Sequence, residues 1–123
     1  MAWTWRAQAV KRLSQREGIL GKIASLYIAA GYGVKFRYKT SRGTIDLLAI
    51  KGNTKLAINV ITSSKELNTD VIRKVFEVAE DIGGKPILII YGRTRVSEDI
   101  VKEAKKLNVK VKRVRIWRQP QPH

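Results

Sequence analysis

Residues 43–61, GTIDLLAIKGNTKLAINVI, constrain the fold more than any other stretch of this chain. Two apolar runs, 44–51 and 55–62, flank a Gly52-Asn53-Thr54 turn of the kind that closes a hairpin. Both runs are apolar at odd and at even positions. Strand side chains alternate between two faces, so such runs need cover on both sides. They predict the central strands of a sheet with helices above and below. Between its end residues each run holds one polar group, Asp46 in the first and Asn59 in the second. A carboxylate on an inner strand needs partners, and Asn59, Thr44 or Arg42 are the expected ones for Asp46.

The flanks supply the rest of the architecture. Residues 3–12 predict a short helical lead-in, with Trp3, Trp5 and Val10 as its apolar members. Ser14 and Glu17 have the spacing of a capping box, ahead of Ile19, Leu20, Ile23, Leu26, Tyr27 and Ala30, and Gly31 and Gly33 stop the helix. Val34, Phe36 and Tyr38 then alternate with Lys35, Arg37 and Lys39, which predicts a strand with one buried and one basic face. Thr69 is the expected N-cap of a second helix that ends at Gly83-Gly84, and Pro86 opens a strand ILIIY over 87–91. Ser97 is the expected cap of a third helix ending at Asn108. A last strand spans 109–117, with a bulge predicted near Lys112-Arg113 where the apolar phase shifts. The Pro/Gln-rich tail 118–123 is expected to fray. The order αβββαβαβ describes a mixed α/β sheet flanked by helices, in a single domain over 1–123 whose core is 14–117 and whose lead-in is 1–13.

Charge narrows the function. Lys and Arg total 25 against 10 Asp and Glu, a formal net charge of +15 on 123 residues. Such an excess predicts a polyanionic partner, and nucleic acid is the first candidate. Three basic sets stand out: Lys35, Arg37, Lys39 and Arg42; Lys110, Lys112, Arg113, Arg115 and Arg118; and Lys11, Arg12 and Arg16. No recognition helix or zinc finger is visible, so contact with phosphates is expected without base readout. There is no cysteine, and the single histidine is His123, which excludes thiolate chemistry and a histidine-based triad or metal site. No apolar run approaches a membrane span, and the first ten residues lack a signal-peptide core, so a cytoplasmic location is expected, nucleoid-associated if DNA is the partner. Trp3 and Trp5 fit base stacking or packing against core or partner, and Trp117 fits core or interface.

The element order, together with AAGYGV, KFRYK, GTIDLLAI, LAINVITSSKEL and GGKPILII, resembles the PD-(D/E)XK nuclease superfamily. Within it the likeness is to the small archaeal Holliday-junction resolvases and RecB-like nucleases, from about Ser14 to Tyr91. The resemblance implies a restriction-endonuclease-like fold. It also implies a divalent cation, Mg²⁺ or Mn²⁺, held by an acid of the first helix, the strand Asp and a third-strand acid, with a lysine two residues after that acid. Asp46 matches the strand Asp and is the one implied metal ligand. Asn59 stands where the third-strand acid belongs and Ile61 where the lysine belongs. Glu17 fits the first-helix acid as well as the capping box. Lys65, in SSKEL beside Glu66, is the candidate for a relocated lysine or a phosphate contact. The expectation is a DNA-binding protein on a degenerate nuclease fold, binding duplex or branched DNA, with no cofactor and no small-molecule ligand. The alternatives are a structure-specific endonuclease with a rearranged site and an RNA-binding subunit. The resemblance further implies a homodimer, for which Val71, Val75, Phe76, Val78 and the Trp residues are candidate contacts.

Overall fold

The computed structural model describes the backbone of residues 5–115 and the side chains of residues 15–115. Trp3, Trp117, Arg118, the tail and the side chains of Trp5, Lys11 and Arg12 lie outside the described residues, and the stacking, fraying and N-terminal basic expectations fall on them.

Helix α1 runs unbroken over Trp5–Ala29. The predicted break between a lead-in and a helix starting at Ser14 is therefore corrected: position 14 is helix interior, where a capping box has no free amides to satisfy. Gly31, at φ 94°, ends the helix, and Lys51 Nζ donates to the Ala30 carbonyl at 2.8 Å across that end. Five strands follow: β1 (Gly33–Thr40), β2 (Gly43–Lys51), β3 (Thr54–Ile61), β4 (Lys85–Tyr91) and β5 (Lys110–Val114). They form one sheet in the order β1-β2-β3-β4-β5. The first three are antiparallel neighbours, and β4 and β5 join in parallel. Helices α2 (Thr69–Ile82) and α3 (Glu98–Lys106) make the two parallel crossovers.

The two apolar faces of the central strands are both used. Ile45, Leu48, Ala57, Ile61, Leu88 and Ile90 pack against α2 and α3 through Ile72, Val75, Val78 and Ile100. Leu47, Ala49, Leu56, Ile58, Val60, Ile87 and Ile89 pack against Leu20, Ile23 and Ala24 of α1. Val75 and Val78 are thus core, with Val71 and Phe76 packed against it, so this half of α2 is not a free dimer face. Among the described residues the exposed large apolar side chains are Leu26, Ile28, Phe36 and Val101, spread over three elements. Among the described residues no helix is long and apolar enough to cross a membrane.

Local endings follow residue chemistry, with two shifts from expectation. The cap of α2 is Asn68, not Thr69: its side-chain oxygen accepts the Val71 N–H at 3.0 Å. Ser97 occupies the N-cap position of α3, but its side chain makes no capping bond. Gly83 leaves α2 at φ 67°, and the amides of Gly83 and Gly84 return to Glu80 and Ala79 in a Schellman arrangement. Gly84 also lies against β3, where an added Cβ would stand 2.8 Å from the Lys55 carbonyl oxygen. Gly84→Ala is expected to cost about 2 kcal/mol, since backbone on both sides resists the shift; a urea midpoint unchanged from wild type would contradict this close approach.

The predicted bulge in β5 is absent. Its pairing with β4 is uninterrupted from Ile87↔Lys110 to Tyr91↔Val114. The phase shift has another cause: Val111 packs into the α2-side core and Val114 into the α1-side core.

Candidate functional site

The sheet ladder parts at Asp46. Pairing of β1 with β2 passes from Phe36↔Leu47 to Tyr38↔Ile45, and the Arg37–Asp46 step between them is missing. Arg37 stands there at φ 49°, in the left-handed region. Pairing of β2 with β3 likewise begins only at Leu47↔Ile58. Side chains close the gap. Asp46 N–H donates to Asn59 Oδ1 at 3.0 Å, and Val60 N–H donates to Asp46 Oδ2 at 2.8 Å. Each strand's polar residue therefore satisfies the other strand's backbone. The expected partners of the Asp46 carboxylate are corrected: Asn59 meets only its backbone amide, and neither Thr44 nor Arg42 bonds it.

Across this break the strands change phase. Val34 packs on the α1 side and Tyr38 on the α2 side, while Phe36 is exposed. Ile45 and Leu47 fall in opposite cores in the same way. The expected single basic face of β1 is corrected accordingly: alternation puts Lys35 on the α2 side and Lys39 on the α1 side. A residue with positive φ rotates the strand by about half a turn, which no count of alternating residues registers.

Asp46 has a third partner, and it comes from α1. Arg16 Nη2 donates to both Asp46 oxygens, at 3.2 and 3.1 Å, and to the Val60 carbonyl at 3.2 Å. Arg16 Nε lies 3.7 Å from Glu66 Oε1, an ion pair and not a hydrogen bond. Glu66 is held in turn by Thr62, whose N–H and hydroxyl donate at 3.0 and 2.8 Å. The side chains of Arg16 and Asp46 are 29% and 20% exposed. Burial by itself would lower the Arg16 pKa, but the hydrogen bonds and charges of Asp46 and Glu66 outweigh it and raise the value. The guanidinium is charged throughout the range in which the protein is handled. Asp46→Ala removes one of the two carboxylates facing Arg16, leaves the Val60 amide without an acceptor and is expected to cost about 2 kcal/mol, whereas Asp46→Asn retains the acceptor and is expected to cost less than half of that; equal losses in urea unfolding would sink the account.

The remaining site residues lie as follows. Asn59 is 4% exposed and its amide oxygen is committed to the Asp46 amide. Ile61 is 2% exposed and sits in the α2-side core. The opposite face of β3 presents Leu56, Ile58 and Val60. This strand carries no acid, and its one lysine, Lys55, stands at its far, amino-terminal end, so no change of register restores the pattern. Glu17 does not reach Asp46; it pairs with Arg37 of β1, and the α1 residue beside Asp46 is Arg16. Lys65 is exposed in a short 3₁₀ turn, Ser64–Glu66, next to the ion cluster.

These residues do not fit the divalent cation of a nuclease. Both Asp46 oxygens and the Val60 carbonyl are taken by Arg16, whose guanidinium also faces Glu66. Among the described residues no three acids, His or Cys converge on a metal-sized space.

Cations gather around this end of the sheet. The carboxyl ends of β3, β4 and β5 lie beside the β1–β2 turn, because β2 runs antiparallel to β3. Lys39 and Arg42 flank the turn, Lys65 follows β3, Arg93 and Arg95 follow β4, and Arg115 follows β5. Four strand spacings make this rim about 19 Å long. The predicted basic set on β5 is split by the strand: Lys110 is at the opposite end, Lys112 is half-buried, and Arg113 donates to the Gly92 and Thr94 carbonyls at 2.6 and 2.8 Å. Arg113 therefore shapes the β4–α3 loop that carries Arg93 and Arg95. Sequence reasoning passed over those two arginines, although YGRTR directly after a parallel strand marks the end where open α/β sheets bind ligands.

A mixed sheet with a helical crossover, one helix on its other face and an Asp at the point where β2 leaves β3 defines a nuclease-like α/β domain. The PD-(D/E)XK superfamily domain matches residues 16–111, and the chain belongs to that superfamily. Two solved structures share the fold. A protein of unknown function, AF1548, superposes with a TM-score of 0.59 at 20% identity, covering 83% of this chain and 58% of its own. SfsA of Pyrococcus furiosus, solved in complex with Ca²⁺, gives 0.57 at 16% identity, covering 85% and 57%. This chain thus spans less than two thirds of either relative. No curated protein is significantly similar in sequence.

Proposed function

We propose that this protein binds DNA, duplex or branched, through phosphate contacts along the carboxyl-end rim, and that it does not hydrolyse it. The observation that carries the reading is the rim itself: Lys39, Arg42, Lys65, Arg93, Arg95 and Arg115 follow successive strands at the end of the sheet where Asp46 lies. About 19 Å of duplex axis carries about 11 phosphate charges, so a row of this length meets several phosphates at once. Loss of hydrolysis is supported by the Arg16 guanidinium on Asp46 and by the apolar faces of β3. A homodimer, which would present two rims to a four-way junction, and association with the nucleoid belong to the same proposal; sedimentation of the free protein tests the dimer.

A second reading, an endonuclease with a rearranged site, draws on Lys65 and Glu66, an exposed lysine and an acid that shares Arg16 with Asp46. One experiment separates the two. A four-way junction, a duplex of equal length and a structured RNA are incubated with wild type and Asp46→Ala in Mn²⁺, then run on native and denaturing gels. Shifted DNA with intact strands is the expected result. Discrete nicks that disappear in Asp46→Ala would establish the nuclease instead, and preferential shift of the RNA would replace the substrate class.

A further inference from the structure

The group at the centre of the break in the sheet is a cation with the surroundings of a different cation. Arg16 is met by two carboxylates and one backbone carbonyl, those of Asp46, Glu66 and Val60. Hard divalent ions select this oxygen set, carboxylates and main-chain carbonyls together. A surface ion pair has no need of it, since such pairs form between one acid and one base in water. The oxygens are also held independently of Arg16. Asp46 Oδ2 accepts from the Val60 amide, and Glu66 accepts from the Thr62 amide and hydroxyl. Two acids fixed within reach of one centre repel each other unless a positive charge lies between them.

We propose that the Arg16 guanidinium is a resident replacement for a divalent cation, and that removing it turns Asp46, Glu66 and the Val60 carbonyl into a site for one hard divalent ion. In the protein as it stands, the charge that elsewhere would arrive as a dissociable ion is built into α1. The break in the sheet then closes without any dependence on metal. Arg16 is a positioning residue in this account: it holds α1 to β2 and β3 where their ladder is interrupted. The proposal does not rest on DNA binding, and its test uses no DNA.

The full chain, Arg16→Ala, Arg16→Met, Arg16→Lys and the double variant Arg16→Ala with Asp46→Asn are titrated with Mn²⁺ by calorimetry and melted in EDTA and in Mn²⁺. Wild type and Arg16→Lys are expected to bind no Mn²⁺ and to melt at the same temperature in both solutions. Arg16→Ala and Arg16→Met are expected to bind one ion per chain with a dissociation constant of about 10⁻⁴–10⁻³ M, the range of weak carboxylate sites, and to melt higher in Mn²⁺. The double variant is expected to lose that binding at least about tenfold, since it removes one charged ligand. Stoichiometric Mn²⁺ binding by the wild type would overturn the proposal, as would Arg16→Ala and Arg16→Met proteins with no site. Variants that stay unfolded in Mn²⁺ as in EDTA count against it equally, because an ion that replaces the guanidinium restores the fold.

Discussion

Rewriting β3 to the acid-x-lysine pattern, with Asn59→Glu and Ile61→Lys together, is expected to destabilise the protein by about 4 kcal/mol and to restore no cleavage. The larger part comes from Ile61, which is 2% exposed among Ile45, Ala57, Ile72 and Leu88 in the α2-side core. Losing a buried isoleucine forfeits about 1.5–3 kcal/mol of apolar burial. The new ammonium has no acid there to pair with, so it must lose its proton or open the core. The smaller part comes from Asn59, whose amide oxygen accepts the Asp46 N–H at 3.0 Å. Glutamate there adds a charge beside Asp46 and displaces that acceptor. In urea the midpoint should fall with little change of slope, and the melting temperature should drop by about 15 °C. A double variant that is as stable as wild type and nicks DNA would show that β3 faces substrate, contrary to its packing.

The second large effect is on salt dependence. If the rim meets about five phosphates, the log–log slope of affinity against salt is about −4.5, and affinity falls about 500-fold between 50 and 200 mM. Arg42→Gln, Lys65→Gln, Arg93→Gln and Arg95→Gln combined should shrink that slope to about −1, each arginine or lysine contributing about one unit. Lys55, Lys85 and Lys110 lie at the starts of β3, β4 and β5, within one residue of the first, at the opposite end of the sheet. Changing these three to Gln should leave the slope where it was, although the net charge falls by a similar amount. Fluorescence anisotropy with a labelled duplex over a salt series reads both variants. Equal effects from the two ends would mean that total charge governs binding and the rim has no special part.

What could be read from residues and what could not divides along a physical line. The hairpin of β2 and β3, the crossover through α2 and the parallel strand β4 were legible because their signals are local: two-residue alternation, continuous apolar runs, Gly83-Gly84 at a helix end. Helix starts were less so. A serine and a glutamate at capping spacing mean a terminus only if the preceding residues are not helical, and in α1 they are. The left-handed Arg37 escaped notice because arginine carries no conformational signature; its backbone is set by the gap opposite Asp46.

The sequence by itself determined a mixed sheet covered on both faces, a strong excess of cationic side chains and the presence of Asn59 and Ile61 at alternate positions of β3, since each is a matter of composition or of spacing within one segment. Only the tertiary structure decided that Arg16, 30 residues from Asp46, and not Glu17 beside it, meets that carboxylate. Successive helical residues point about 100° apart, so the way α1 docks on the sheet selects one of them. Helix docking is a long-range packing outcome, and it places a fixed cation between two acids.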